Sequence, residues 1–246
     1  MSINLEQRFL RNKDLINQGM LDGPVAIIGL GGIGSFILQT LTMMGVKEII
    51  GFDDDIMESH NLSSTCYPLT YVGRNKTVAA DGLHTMYSDE TQIFNARNEK
   101  YTRLTESFPQ IIVCTDDMES RRSVWEVFKN PENWENGNFQ DCLFIDARMG
   151  ATSVELVSIN PSRIQQQWWD GQEDPYLKHW QPTDTVPEAP CSMKHTVFAT
   201  QHIASLVVSQ YYNMLANLAY YDYIWTSLSP NMVEFGTLIT PTKKEE

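Results

Sequence analysis

Residues Val25–Asp55 read VAIIGLGGIGSFILQTLTMMGVKEIIGFDDD. The apolar run Val25–Ile28 ends in Gly29-Leu30-Gly31-Gly32-Ile33-Gly34, a stretch with helical spacing follows, and a second apolar run ends at Asp53. This is the order of a strand, a phosphate-cradling turn, a helix and a second strand. The second strand's terminal carboxylate, at an offset of about 20 residues, takes ribose hydroxyls. Glycine is required in the turn because a side chain would stop the backbone approaching a phosphate. The helix N-terminus behind it adds free N–H groups and a partial positive charge. The stretch therefore predicts a nucleotide site, without choosing between NAD, FAD, SAM and ATP.

On the amino-terminal side, Leu5, Phe9, Leu10, Leu15 and Ile16 recur at helical spacing and predict a surface helix over Ile3–Gln18. On the other side, Glu58–Val72 reads as a polar loop, Gly73–Tyr87 as a helix and Gln92–Glu99 as a strand. Ile111–Cys114 is a short buried strand ending at Thr115-Asp116-Asp117, and Met118–Phe128 is the next helix, which Asp117 can cap while Asp116 stays free. A polar insert with Pro131 and Gly137 leads to a further buried strand, Cys142–Ile145, ending at Asp146-Ala147-Arg148. After Gly150 the pattern changes. Ser153–Ile159 alternates like an antiparallel strand, Asn160–Pro190 has no periodicity, Thr196–Ala219 is a long helix, and Tyr221–Ile239 forms one or two closing strands. Strands alternating with helices predict an α/β, Rossmann-like doubly wound sheet, parallel first and antiparallel at its close. Residues 1–150 form the nucleotide-binding part, and 151–246 complete the same domain.

A chain of 246 residues with a net charge of −13 lacks the basic face that a nucleic-acid or anionic-membrane partner requires. Cys66, Cys114, Cys142 and Cys191 are dispersed, with no CxxC pair, so no structural zinc and no disulfide framework is expected. Without a signal peptide or a spanning apolar run, the expected location is cytoplasmic.

Several separated motifs then agree. Arg8-Phe9-Leu10-Arg11 precedes the glycine turn; Asp53, Asp55, Asn61 and Leu62 stand in the order D-x-D-x5-N-L. Val72-Gly73-Arg74-Asn75-Lys76 follows, and Cys114-Thr115-Asp116 precedes Arg121. In this order and spacing the chain resembles the ThiF/MoeB family, the adenylating domain of ubiquitin-activating enzymes, over roughly Arg8–Arg148. The resemblance implies attack of a carboxylate on the α-phosphate of ATP, giving an acyl-adenylate and pyrophosphate. The carboxylate it implies is the C-terminus of a small ubiquitin-like protein or peptide. It also implies roles: Gly29, Gly31, Gly32 and Gly34 cradle phosphates with Thr115 beside them, Asp53 and Asp55 lie at the nucleotide, Asn61 orients phosphates, and Lys76 follows the α-phosphate. Asp116 would hold Mg²⁺, and Arg11 would reach into a neighbouring subunit's site, which predicts a homodimer.

The departures are equally specific. Where many family members carry Arg-Gln after Asn-Leu-x, this chain has Ser64-Thr65, and Arg74 is the cation placed to replace the missing charge. Cys191, ahead of the Thr196 helix and near Lys194 and His195, has the setting of a lowered-pKa acyl acceptor or of an inert thiol; Cys66 is a weaker acceptor. Trp168, Trp169 and Trp180, with Gln165–Gln167, suit a loop that clamps an extended peptide. The alternatives to carboxylate activation are a tRNA-base dehydratase-type adenylating enzyme, an inactive nucleotide-binding scaffold subunit and a dinucleotide oxidoreductase.

Overall fold

Strand β1 (Val25–Ile28) owes its place at the middle of the sheet to two-sided burial: all four residues are buried, as a near-continuous apolar strand covered on both faces must be. The computed structural model describes residues 5–102, 106–130, 142–163, 174–180 and 196–241. Before β1 lies α1 (Leu5–Arg8); after it come α2 (Gly32–Met44), β2 (Glu48–Phe52), α3 (Lys76–Tyr87), β3 (Ile93–Arg97), β4 (Gln110–Val113) and α4 (Met118–Phe128). The second half contributes β5 (Leu143–Gly150), β6 (Ser153–Ile159), α5 (Val197–Leu215), β7 (Tyr220–Tyr221), β8 (Tyr223–Leu228), β9 (Asn231–Phe235) and β10 (Leu238–Ile239).

The main sheet has eight strands in the order β3-β2-β1-β4-β5-β6-β8-β9. Pairings from β3 through β5 are parallel, and those from β5 through β9 are antiparallel. Alternate residues of one strand serve two cores. Val25 and Ile27 join α2, α3 and α5 on one face, whereas Ala26 and Ile28 join Trp125 and Phe128 of α4 on the other. The order reverses between β1 and β4, which makes the crevice beyond their C-terminal ends the topological switch point of the sheet. No helix among the described residues is long and apolar enough to cross a membrane.

Three expectations change. Among the described residues, the predicted helix over Ile3–Gln18 is realised only as Leu5–Arg8, with turns after it and a short 3-10 stretch at Gln18–Met20. The tertiary reason is Arg8, which donates to Asp89 (2.5 Å), to Gln92 (2.9 Å) and to the carbonyls of Thr42 (2.9 Å) and Tyr87 (2.7 Å). Those carbonyls lie in the last turns of α2 and α3, where orphan acceptors favour a cation. The strand expected to stop at Ile145 continues as β5 to Gly150, because antiparallel β6 pairs with it throughout. The closing strands number four short ones. The polar insert, Gln165–Gln167, Trp168 and Trp169 lie outside the described residues.

Candidate active site

The glycine turn is held from three sides. Gly29 has φ +94°, a conformation open to glycine, and a Cβ there would stand 2.9 Å from the Cys114 carbonyl oxygen. At Gly34 a Cβ would collide with the Gly29 carbonyl oxygen, and at Gly32 it would sit 3.1 Å from the Ser64 carbonyl oxygen. Leu30 is gripped by two side chains: its N–H donates to Asp53 Oδ2 (2.7 Å), and its carbonyl accepts from the buried Tyr67 hydroxyl (2.8 Å). With both backbone groups of Leu30 satisfied, the turn is rigid before any ligand arrives. Gly31 is the N-cap of α2, and the first N–H groups of the helix, from Gly32 onward, have no intrahelical acceptor.

Asp53 and Lys76 meet over this turn. The Asp53 side chain is 7 % exposed, and its Oδ1 also accepts the Asp55 N–H at 2.9 Å. Burial pushes its carboxyl above the ordinary value, although the Lys76 charge and the two backbone donors pull the other way. Lys76 is the first residue of α3; its N–H is taken by the Asp55 carbonyl, and its Nζ lies 2.6 Å from Asp55 Oδ2 and 3.7 Å from Asp53 Oδ1. A Cβ built on Gly31 would stand 3.9 Å from that Nζ, so the ammonium overhangs the turn. The lysine side chain is mostly buried and Asp55 is open to solvent, leaving Asp55 as the partner a phosphate can displace.

The other predicted residues divide. Asn61 closes a capping box: its Oδ1 accepts the Glu58 N–H at 2.9 Å, and its amide NH₂ has no partner among the described residues. Thr115 and Asp116 come just after β4, and the Cys114–Thr115 peptide lies against Gly29. Asp116 is exposed, whereas Asp117 caps α4 by accepting from Ser120 N–H at 2.7 Å. Ser64, where the resemblance implies an arginine, is buried and neutral. Arg74 is exposed with its guanidinium 5.9 Å from the Tyr71 ring centre. Arg11 is exposed, away from the four acceptors that hold Arg8. Cys191, Lys194 and His195 lie outside the described residues. Burial pushes the Cys66 thiol up to about 11, the opposite of the lowered value that an acyl-accepting thiol needs.

Among the described residues no group of three or more His, Cys, Asp or Glu converges as a metal cage. Magnesium at a nucleotide needs only one or two carboxylates beside phosphate oxygens and water. The exposed carboxylate of Asp116, one residue beyond the peptide that packs on Gly29, fits that demand. Two residues that sequence reading left without a role bind the site together: Tyr67, and Asp146, to which the buried Arg121 is paired. Neither carried a signal beyond an aromatic in a loop and an acid at a strand end.

Ubiquitin-like modifier-activating enzyme 5 of Caenorhabditis briggsae is 25 % identical over 118 residues, 42 % of this chain and 27 % of that protein. The Dictyostelium discoideum enzyme of that name is 29 % identical over 117 residues, 41 % of this chain and 30 % of that protein. The matching region thus spans less than a third of those curated relatives. In fold, the chain is similar to crystalline PaaA (TM-score 0.68, 16 % identity, 98 % of this chain and 76 % of that one). It is also similar to E. coli MccB with AMPCPP and MccA (TM-score 0.62, 17 % identity, 97 % and 73 %). Residues 17–218 match the ThiF family model, and the chain belongs to the ThiF family.

Proposed function

We propose that this chain is an ATP-dependent adenylyltransferase that activates the C-terminal carboxylate of a small ubiquitin-like protein or peptide. The observation that carries the reading is the Lys76 ammonium held over a rigid glycine turn, 3.9 Å from the Gly31 Cβ position. Relatives named as ubiquitin-like modifier-activating enzymes, and the fold of MccB, with ATP in one structure and with MccA in others, support it. The incoming carboxylate oxygen bonds to the α-phosphorus, the bridging bond to the β-phosphate breaks, and pyrophosphate leaves. Transfer at phosphorus asks for positioning and charge neutralisation far more than for covalent help.

The residues supply those two things. The turn and the α2 N-terminus donate N–H groups to phosphate oxygens, Asp53 faces the ribose, and Asn61 offers its amide NH₂. Lys76 exchanges Asp55 for the α-phosphate. Asp116 would hold Mg²⁺, which when bound neutralises phosphate charge. Arg11, exposed in the single chain, is available to a second copy.

The test is ATP–pyrophosphate exchange with a cognate C-terminus supplied. Lys76→Ala and Asp116→Ala should each lose about 10²-fold or more in rate with unchanged folding, as removal of a charge-stabilising group does. NAD⁺ binding tighter than ATP–Mg²⁺ in calorimetry would overturn the reading. Ser64, neutral where the resemblance implies an arginine, favours one second reading, a nucleotide-binding subunit without chemistry. ATP binding with no exchange, whatever C-terminus is offered, selects it. For Cys191 as acyl acceptor, the wild type should trap a partner adduct that thiols release, and Cys191→Ser should abolish it or make it thiol-resistant.

A further inference from the structure

Linked to the Thr115 carbonyl through Arg121 is a buried charge cluster that the adenylation reading does not use. Asp146, on β5, is 0 % exposed. Its Oδ1 accepts from Arg121 Nη1, and its Oδ2 accepts from Arg148 Nε (2.7 Å) and from the Tyr176 hydroxyl (2.8 Å). The same Arg121 donates to the carbonyl of Ala147 (2.9 Å) and to the carbonyl of Thr115. Arg148 also donates to Glu155 (2.8 Å) and to the His179 carbonyl (2.6 Å).

Two directions of contact leave this carboxylate. One runs through Arg121 to Thr115, beside Asp116. The other runs through Tyr176 and Arg148 to Asp174–Trp180, a described part of the crossover between β6 and α5. That segment is fastened to α4 as well: Trp180 Nε1 donates to the Met118 carbonyl (3.2 Å), and Trp125 Nε1 donates to Asp174 (3.1 Å). Arg122 lies over the Trp180 ring at 5.0 Å. Met118 is the first residue of α4, directly after the Thr115–Asp117 turn. Crossover and turn therefore share both a buried carboxylate and a helix N-terminus.

We infer that Asp146 is a positioning residue: through Arg121 it fixes the Thr115–Asp116 turn, and through Tyr176 and Arg148 it locks Asp174–Trp180 to that turn, so that the two respond as one unit. Packed networks of this kind have discrete arrangements and transmit displacement instead of absorbing it. The inference rests on the nucleotide reading only for its consequence: the crossover sets the aim of Asp116. Any partner contact that shifts Asp174–Trp180 would then alter the metal side of the site and spare Asp53 and the glycine turn.

The test is hydrogen–deuterium exchange of the nucleotide-free chain, followed by ATP calorimetry at varied Mg²⁺. Tyr176→Phe removes one hydroxyl and keeps the ring. It should raise amide exchange at Asp174–Trp180 and also at Thr115–Ser120, by roughly 2- to 30-fold, the range that network couplings span. The Mg²⁺ concentration giving half-maximal strengthening of ATP binding should rise within the same range, while ATP affinity without Mg²⁺ holds. Asp146→Asn should loosen both segments at once; if that variant fails to fold, Tyr176→Phe decides. Faster exchange confined to Asp174–Trp180, with Thr115–Ser120 and the Mg²⁺ dependence as in wild type, overturns the coupling. Failure of the wild type to bind ATP strikes the functional reading alone, because hydrogen exchange still decides the coupling.

Discussion

Gly31 and Gly34 lie three residues apart and are asked for different things. A Cβ at Gly34 would collide with the Gly29 carbonyl oxygen, whereas at Gly31 the nearest atom would be Lys76 Nζ at 3.9 Å, ordinary contact. Gly34→Ala should therefore cost about 1–3 kcal/mol in denaturant unfolding, as overpacking does. Gly31→Ala should leave the unfolding midpoint near wild type yet weaken ATP binding, since its methyl group takes the space a phosphate needs. Asp53 makes a second contrast. Its carboxyl is raised chiefly by burial, so ionisation costs stability as pH climbs through and above the ordinary carboxylate value. Asp53→Asn removes that cost but leaves either the Leu30 or the Asp55 N–H facing an amide NH₂, so the thermal midpoint at pH 7 should fall. The substitution should also weaken ATP binding about tenfold or more, by loss of a hydrogen bond to a charged group. Paired melting and calorimetry check both halves.

At the level of elements, the protein is pinned by buried carboxylates that join segments distant in sequence. Asp89 holds Arg8, which donates to the ends of α2 and α3, and Asp146 joins β5, α4 and the crossover. Burial alone would raise the Asp146 carboxyl, but the Arg121 and Arg148 guanidiniums and the Tyr176 hydroxyl outweigh it and hold it below the ordinary range. Asp89 is lowered as well: burial opposes, and bonds from Thr91 and the Arg8 charge prevail. A depressed carboxyl contributes stability that is complete above the unfolded value, near 4, and is lost as pH falls through the folded one. The thermal midpoint should thus stay level through neutral pH and drop below about pH 4. Asp146→Asn should flatten that acid limb. It should cost about 3–5 kcal/mol at pH 7, because it leaves two buried guanidiniums short of a counter-charge.

On the scale of the whole molecule, the parallel half of the sheet builds the nucleotide crevice and the antiparallel half carries the crossover. The face around Arg11 is unfinished: Leu10 and Leu15 are 58 % and 76 % exposed. A two-fold dimer that covers these leucines and lends Arg11 across to the second copy accounts for both observations. Sedimentation at micromolar concentration should show a dimer. Arg11→Ala and Lys76→Ala, each inactive alone, should recover about a quarter of wild-type exchange when mixed at equal amounts. Half of the resulting dimers are mixed, and each mixed dimer holds one intact site in two. Full activity from a sedimenting monomer would remove the shared arginine.

The glycine turn, the acid at the end of β2, the lysine opening α3 and the alternation of strands with helices were all readable in the chain. Each is written within a window of a few to twenty residues, where periodicity and turn chemistry act locally. Other assignments waited on the folded molecule. Of the two arginines in Arg8-Phe9-Leu10-Arg11, only three-dimensional packing shows that Arg8 turns inward to a carboxylate 81 positions away. Arg121, matched as part of a nucleotide motif, is consumed in holding Asp146, 25 positions on, and the Thr115 carbonyl. The Tyr67 and Tyr176 hydroxyls meet the Leu30 carbonyl and Asp146 only in the folded molecule. The amino-terminal helix failed for the same reason: helical spacing states a local preference, and four hydrogen bonds from Arg8 to distant partners override it. A charged or hydroxyl group carries no local mark of its partner. That partner is chosen only when the sheet brings remote segments into a space where an unpaired polar group is too costly to leave.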